Sequence, residues 1–424
     1  MLVVSSMLFG ALRSRLLPLH AVGTVAVMVA LGGVGGCSSS SGSTDAVETC
    51  DVQVDAFKEL IVVEPSVIDD SRAKNEPAGG WSFRHAVESM TPAGVSPSAF
   101  VRGWLHTWVD TSAFNGQALD HEPRNAEMNN LILCPWLRRT VSNNCDLTCS
   151  KCTSQELDLG KAPFRLLAIM NRMDLRTQLD ASSPAGEMRL VFGLTAGPAD
   201  DPASQPRAFT TIFEYAYPSS KSVKEWAEAW HSLGAHAAYD EVYRGELESL
   251  TESVVGPNKS PERPNGSAIA QVRTNESALN WIWQLREFRL SGGSLQISST
   301  KNTPLETLNN TPILASWVTK NAAAIKDNKY VVPESLLGGS ANQFLFRWAL
   351  PNVDEETRRA FAAGTCSGCH SGDISARESA FHVSPFVSGT AKLSPFVWDP
   401  GAKVQGKDEV SKRTVLYKQT LCSP

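Results

Sequence analysis

Short apolar segments between residues 164 and 298 have the pattern of β-strands. Three of them are bounded by glycine, proline or aspartate: FRLLAIM (164–170), MRLVFGL (188–194) and FTTIFEY (209–215). Two more, WIWQLREFRL (281–290) and LQIS (295–298), are separated by a Gly-Gly turn. β-Branched and aromatic residues favour strands, and turn residues mark the strand ends. We expect these segments to be neighbours in one sheet.

Other stretches have apolar residues three or four positions apart, the pattern of helices that bury one face. They begin at Ser96-Pro97, at Ser222 and at Thr303-Pro304, and a fourth, 352–363, ends before Gly364. Thr311-Pro312 could split the third of these helices in two. Serine and threonine cap helix N-termini, proline fits the first turn and glycine ends a helix. The sequence therefore predicts an α+β fold: a mostly antiparallel sheet with packed helices, and a C-terminal helix that leads into a Cys-x-x-Cys-His loop.

The N-terminus has the features of a secretory signal. Residues 1–36 contain no acidic residue, carry Arg13 and Arg15 before a long apolar run, and end in small residues before Cys37. This end resembles a bacterial lipoprotein signal, in which Cys37 becomes lipidated; an ordinary signal peptide or a membrane anchor is the alternative. Residues 37–48 then predict a flexible tether. We expect a cell-envelope protein anchored by lipid to the outer membrane, facing the periplasm or the cell surface.

Charge and length limit the remaining possibilities. Loss of the signal removes two arginines and no acidic residue, so the formal charge falls from −5 to −7. A mildly acidic protein is a poor partner for nucleic acid or for an anionic membrane surface. We expect an α+β body over residues 49–350 and a C-terminal region, 351–424, packed on it.

Cysteine usage agrees with export. Besides Cys37 and the pair in the motif, the chain has an even number of cysteines, which could form three bridges in an oxidising compartment. Cys145, Cys149 and Cys152 have the spacing of an iron–sulfur motif. Because this segment is exported and rich in Asn and Ser, a loop held by disulfide bonds is the better interpretation. The candidates for disulfide bonding are Cys50, Cys134, Cys145, Cys149, Cys152 and Cys422.

The most specific chemical signal is Cys366-Ser-Gly-Cys369-His370, the attachment motif of c-type haem. Two thiols at this spacing can bond to one porphyrin edge, and the histidine that follows can ligate the iron from below. A structural disulfide, a zinc site or a thiol–disulfide centre are the alternatives. A redox Cys-x-x-Cys usually begins a long helix, whereas here the predicted helix precedes the motif. We therefore expect one covalent haem c.

The second iron ligand is less constrained. No methionine follows Met188, and only 54 residues follow His370, so a separate cytochrome domain does not fit. His382 is the nearest candidate, although a solvent-exposed or hydrogen-bonding histidine is the simpler interpretation of this residue. An open iron site also remains possible, as do upstream methionines and His85, His106, His121 and His231.

Two groups of polar residues lie within or beside the predicted strands. Asn171, Arg172 and Asp174 follow the first strand and could form a polar site, but an Arg–Asp pair that fixes a loop is the simpler interpretation. Glu214, Arg273 and Glu276 are predicted to form buried pairs.

A run of blocks across residues 80–400 resembles a family of exported lipoproteins from myxobacteria and their relatives that carry a single Cys-x-x-Cys-His motif. The blocks are PFRLLAIMNRMDLR (163–176), GEMRLVFGL (186–194), TIFEYAYP (211–218), WAEAWHSLG (226–234), QVRTNE (271–276), WQLREFRL (283–290) and FAAGTCSGCHSGD (361–373). Because its members are mostly uncharacterised, the resemblance implies location and architecture and no particular substrate.

Two functions are compatible with these observations. The first is a membrane-tethered electron carrier or redox subunit that holds one haem and exchanges electrons with a protein partner. The second is a non-enzymatic envelope lipoprotein in which Cys366 and Cys369 form a disulfide and the Trp-rich body binds a protein or a glycan. Either function makes the chain a carrier or binding protein more than a catalyst.

Overall fold

An antiparallel sheet forms the centre of the fold in a computed structural model. The structure describes residues 51–109, 113–119, 123–140, 145–146, 149–177, 185–327, 329–342, 347–370, 373, 381–386, 391–399 and 408–423. The strands are β1 (Ile61–Val62), β2 (Ala113–Phe114), β3 (Gln117–Ala118), β4 (Phe164–Arg172), β5 (Glu187–Thr195), β6 (Pro206–Ala216), β7 (Ile269–Glu276), β8 (Gln284–Ser291), β9 (Ser294–Ser298) and β10 (Ser340–Asn342).

The main sheet has the order β1-β4-β5-β6-β7-β8-β10, with β9 paired to β8 beside it, and every pair is antiparallel. Strands β4 to β8 therefore follow one another in space as they do in sequence. The five predicted strands lie in this one sheet, although β8 begins at Gln284 rather than at residue 281. The prediction missed β7, which separates β6 from β8. A small hairpin of β2 and β3 stands apart from this sheet.

Helices surround the sheet, which confirms the predicted α+β class. They are α1 (Ala56–Glu59), α2 (Pro65–Ile68), α3 (Phe83–Met90), α4 (Pro97–His106), α5 (Asn125–Met128), α6 (Cys134–Arg139), α7 (Val223–His231), α8 (Glu241–Val255), α9 (Pro312–Lys320), α10 (Ala322–Lys326), α11 (Glu355–Ala363), α12 (Cys366–His370) and α13 (Glu409–Cys422). Short 3₁₀ turns occur at Ser71–Ala73, Leu159–Lys161, Met173–Thr177, Ser232–Ala235, Pro264–Gly266, Glu306–Leu308 and Glu334–Leu336, and a π-helical turn at Asn129–Leu133.

Every described helix of eight or more residues begins after a residue whose side chain caps it, whereas α2, α5, α6 and α10 have no side-chain cap. The Ser222 side chain accepts from the backbone N–H of Glu225, and the Glu225 carboxylate accepts from the backbone N–H of Ser222 in return, a complete capping box. The predicted helix start at Thr303 is wrong, because α9 begins at Pro312 with Thr311 as its cap. Proline has no N–H to donate, so it interrupts a helix that reaches it but fits the first turn of a new one. A helix that began at Thr303 could therefore not continue past Pro312.

One face of the sheet carries the aromatic core. Phe83 of α3 stacks on Phe164 of β4 with ring centroids 4.4 Å apart. Trp104 of α4 and Trp108, which lies just beyond the end of α4, pack against Phe288 of β8 at 5.9 and 5.1 Å. The four-residue spacing that predicted a buried stripe on α4 is thus confirmed. Aromatic side chains of this size supply most of the apolar area that a core removes from water.

The opposite face of the sheet has a different character. Because side chains alternate along a strand, the residues between the core positions point to the other side. There the sheet meets the Cys-x-x-Cys-His segment, residues 381–399 in part, and α13. All the described residues belong to one unit, Asp51–Pro424. Within the described part of the chain, no helix combines the length and the apolar character needed to cross a membrane.

Candidate functional site

The Cys-x-x-Cys-His motif follows α11 directly, as predicted. Helix α11 begins after Asp354, whose carboxylate accepts from the backbone N–H of Thr357, and ends at Gly364. The motif itself is not the expected loop, because Cys366–His370 forms the single helical turn α12. In such a turn, residues three and four positions apart share a face. This brings the two cysteines and the histidine that follows close together.

Two threonine hydroxyls hold this turn in place. Thr365 Oγ1 accepts from Trp348 Nε1 at 2.9 Å and from the Gly368 N–H at 3.1 Å, and it donates to the Ala362 carbonyl at 2.8 Å. Thr303 Oγ1 accepts from the Cys366 N–H at 2.8 Å. A hydroxyl can donate once and accept twice, so Thr365 uses its full capacity. The motif is therefore attached both to α11 and to the loop before α9.

Gly368 lies against the end of α11. A Cβ at this position would stand 2.3 Å from the Ala362 carbonyl oxygen, closer than any real contact. The glycine between the two cysteines is thus required by packing on one side of the turn. The sulfurs of Cys366 and Cys369 lie on the other side, and neither is bonded to another cysteine.

A cavity of about 530 Å³ opens beside the motif, within the range of ligand pockets. Cys366, Cys369, His370 and His382 all line it. Its other walls combine apolar side chains with charged ones, of which six are cationic and two acidic. The apolar lining includes Met170, Val191, Ile212, Leu285, Phe396 and Leu416. The charged lining consists of Arg172, Arg189, Arg273, Lys301, Lys412, Arg413, Asp174 and Glu409.

The floor of the cavity is a row of ion pairs across four neighbouring strands. Arg189 of β5 lies 3.2 Å from Glu214 of β6, which lies 3.1 Å from Arg273 of β7, which contacts Glu287 of β8 at 2.9 Å. Opposite charges on adjacent antiparallel strands stabilise the register. The predicted pairing of Glu214 and Arg273 is confirmed. Glu276, on the core side of the sheet, accepts from Trp108 Nε1 at 2.7 Å.

Arg172 and Asp174, from the polar group predicted after the first strand, line one end of the cavity. Arg172 contacts both carboxylate oxygens of Asp174 at 2.9 Å, which confirms the predicted pair. Asn171 is buried and accepts instead from the Tyr217 hydroxyl at 2.9 Å. The pair therefore fixes the turn after β4 and also contributes to the cavity wall.

Four aromatic rings form a continuous stack at the motif. His370 stacks on Trp283 at 4.4 Å, His382 lies 4.3 Å from His370, and Phe396 stacks on His382 at 4.7 Å, all measured between ring centroids. Two metal–nitrogen bonds of about 2 Å each do not fit between rings at this separation. Ligation of one iron by both histidines therefore requires residues 381–386 to move.

Burial controls the protonation of these groups. Burial raises the pKa of Cys366 to about 11 and that of Cys369 to about 12, so both are neutral thiols at pH 7. Burial, together with the neighbouring His370, lowers the pKa of His382 well below its usual value. His382 is thus a neutral imidazole, the form that binds metals. Its Nδ1 lies 3.1 Å from Ser394 Oγ and its Nε2 lies 3.8 Å from Cys369 Sγ.

Of the other candidate iron ligands from the sequence, the described histidines lie away from the cavity and one methionine lines it. His85 pairs with Glu252 and His231 with Glu59, at 2.7 and 2.8 Å, and neither histidine lines the cavity. His106 does not line it either. Met170 does, so it is an upstream methionine that the fold brings to the motif. His121 lies outside the described residues.

Four of the six candidate disulfide cysteines pair with one another: Cys134 with Cys149, and Cys145 with Cys152. Cys422 is also disulfide-bonded. The sulfurs of Cys145, Cys149 and Cys152 lie within 4.8 Å of one another, as in a metal site, but each is already bonded to another sulfur. Cys37 and Cys50 lie outside the described residues, as does the predicted signal.

Several residues of the site were not found from the sequence. Trp283 and Phe396 were not expected to flank the histidines, and α13 was not predicted. The buried positions of α13 are Val410, Arg413, Tyr417 and Thr420, which have helical spacing but include a single aliphatic residue. That spacing, with Asp408 as the N-cap, was the available signal.

Comparison with known proteins adds no assignment to this geometry. No protein-family model matches the chain, and neither a curated protein nor a solved structure matches it.

Proposed function

We propose that this chain binds one covalent c-type haem through Cys366 and Cys369, with His370 as an iron ligand, and serves as a one-electron carrier. The observation that carries the proposal is that two unbonded thiols and the adjoining imidazole line a single cavity. With lipid attached at Cys37, as the signal sequence suggests, the carrier would be tethered to the cell envelope and would meet a redox protein partner there.

The lining of the cavity suits an apolar molecule that carries negative groups. Aliphatic and aromatic side chains cover part of the wall, and cations exceed acids among the rest. Haem has this combination, since an apolar ring bears two carboxylates. When bound, it would supply an iron that changes oxidation state by one electron.

The chain's own residues have separable roles in this proposal. Thr365 and Thr303 fix the motif turn, so that both sulfurs stay on the cavity side. Trp283 stacks on His370 and sets the orientation of its ring. Groups that hold a ligating histidine in place tune the metal site as much as the ligand does.

Protonation of the thiols favours this proposal over a thiol–disulfide centre. Reactive cysteines in such centres have a lowered pKa, because the thiolate is the attacking form. Burial instead raises the pKa of Cys366 and Cys369 to about 11 and about 12. Neutral thiols attack disulfides slowly, so these two cysteines are poorly suited to exchange with a substrate protein.

The direct test is expression in a host that matures c-type cytochromes. We expect a Soret band in the purified full chain and a mass gain of one haem that survives denaturation. Cys366→Ala and Cys369→Ala, made together, should abolish the mass gain, and His370→Ala should change the spectrum. His231→Ala is the control, because that histidine is paired with Glu59 away from the cavity.

An unmodified mass, with Cys366 and Cys369 found bridged to each other, would refute the proposal and select the non-enzymatic lipoprotein. The second iron ligand is tested in the same host. We propose His382, with Met170 as the alternative, and His382→Ala and Met170→Leu separate them, since sulfur and imidazole ligands give different absorption bands.

A further inference from the structure

The charge at position 413 lies on the buried side of the C-terminal helix. Val410, Arg413, Tyr417 and Thr420 form the inward-facing stripe of α13, and Arg413 is 5% exposed. Tyr417 fixes the helix by donating to the Ala227 carbonyl at 2.7 Å. This bond holds the helix against the body one turn beyond Arg413, with the guanidinium on the buried side.

Arg413 differs from the other arginines of the cavity in its pairing. Among the described residues, its nearest carboxylate is that of Glu409, at 3.8 Å, beyond hydrogen-bond distance. Its Nε and Nη1 have no hydrogen-bond partner within the described part of the chain. Each of the other three cavity arginines has a carboxylate oxygen at 3.2 Å or closer, namely Arg172 with Asp174, Arg189 with Glu214 and Arg273 with Glu287.

A buried cation without a hydrogen-bonded partner is unfavourable. Burial lowers the pKa of Arg413 to about 9, and repulsion from Arg172 adds to the effect. Buried charges are normally paired, and an arginine presents a planar fork of donors that matches a carboxylate. An anionic group in the cavity would provide the missing acceptors.

We propose that Arg413 binds a carboxylate group of the molecule that fills the cavity. Resting on the proposed function, this identifies the group as a propionate of the haem. The apolar lining beside Arg413, which includes Leu416 of the same helix, favours a carboxylate on an apolar body over a small inorganic anion. Helix α13 thus supplies the recognition of the polar edge of the ligand, while α12 supplies its covalent attachment.

The test uses the full chain made without haem and two porphyrins of nearly equal shape. Protoporphyrin IX carries two carboxylates, and its dimethyl ester carries none. Binding is followed by the change in porphyrin absorption. We expect wild type to prefer the dicarboxylate by about tenfold or more, the size expected for one charge-assisted hydrogen-bonded pair. Arg413→Gln should remove most of this preference, whereas Arg413→Lys should keep part of it.

Lys418→Gln is the matched control, because it removes the same charge from the same helix at a position that does not line the cavity. Binding of the dimethyl ester shows whether each variant is folded. An unchanged preference in Arg413→Gln, or no binding of either porphyrin by wild type, would overturn the assignment. A chain that prefers the dicarboxylate but never gains the mass of haem would refute the proposed function alone.

Discussion

The hydroxyl of Thr365 offers the sharpest test of how the motif is held. Thr365→Val preserves the shape of the side chain and removes three hydrogen bonds, those with Trp348, Gly368 and Ala362. Thr365→Ser keeps the hydroxyl and removes one methyl group. The pair of variants therefore separates hydrogen bonding from packing at a residue that is 1% exposed.

The two changes differ in expected size. Three hydrogen bonds at about 1 kcal/mol each predict a loss of about 3 kcal/mol in the free energy of unfolding for Thr365→Val. One buried methyl predicts about 1 kcal/mol for Thr365→Ser. For a unit the size of Asp51–Pro424, an unfolding entropy of about 2.1 cal/mol/K per residue converts these losses into Tm decreases of roughly 4 °C and 1 °C.

Thermal unfolding followed by circular dichroism gives the two Tm values, and native-state hydrogen exchange at the Gly368 amide gives the local effect. That amide should exchange faster in Thr365→Val than in Thr365→Ser, because its acceptor is gone only in the former. If the valine variant is no less stable than the serine variant and its Gly368 amide stays protected, the hydroxyl does not hold the turn, and our account of the motif fails.

Three further predictions concern other parts of the chain. Burial raises the pKa of Asp174, but the adjacent guanidinium outweighs this and lowers it from 3.8 to about 2. Above pH 4 the pair therefore adds about 2 kcal/mol to the free energy of unfolding, and this contribution is lost as the pH falls toward 2. Urea unfolding should show the difference in stability between wild type and Asp174→Asn becoming smaller over that pH interval. Gly368→Ala should lower Tm and disturb the motif, because the new Cβ would clash with the Ala362 carbonyl. Gly103→Ala should leave Tm equal or higher, because a Cβ there meets nothing within 4 Å. Equal effects of the two substitutions on Tm would contradict the packing argument. Replacing both Cys134 and Cys149 with alanine, which opens a loop of 15 residues, should lower the free energy of unfolding by about 3 kcal/mol; an unchanged value together with free thiols in the wild-type protein would show that the bridge is absent.

Local signals predicted five strands, β4, β5, β6, β8 and β9, and three helices, α4, α7 and α11. β4, β5 and β6 each combine apolar residues with clear breaks at both ends, and the cap at Ser222 states where α7 begins. Thr303-Pro304 and Thr311-Pro312 both have the pattern of a helix start, but only a 3₁₀ turn follows the first, and α9 begins at the second. The two sites have equivalent local signals for a helix N-terminus, and tertiary packing determines which of them begins the helix.

The cavity could not be predicted in the same way. The pairing of Glu214 with Arg273 was predicted, but Arg189 appears in the sequence only as a polar interruption of a strand, and its role depends on the pairing register that places it opposite Glu214. Arg413 has a further difficulty, because α13 buries an arginine and a threonine in its inward stripe and so lacks a clear apolar period. The cavity wall is built from many separate parts of the chain, and among them only the Cys-x-x-Cys-His motif has a recognisable sequence pattern.

The borders of the main sheet have a consequence for how the molecule meets its own copies. β1 contributes two residues at one border and β10 three at the other. A long, flat border strand presents a row of free backbone donors and acceptors onto which a second chain can add. β1 and β10 offer few such groups, whereas β9 is five residues long and, among the described strands, is paired with β8 alone. We therefore expect a second copy to add along β9 rather than along β1 or β10.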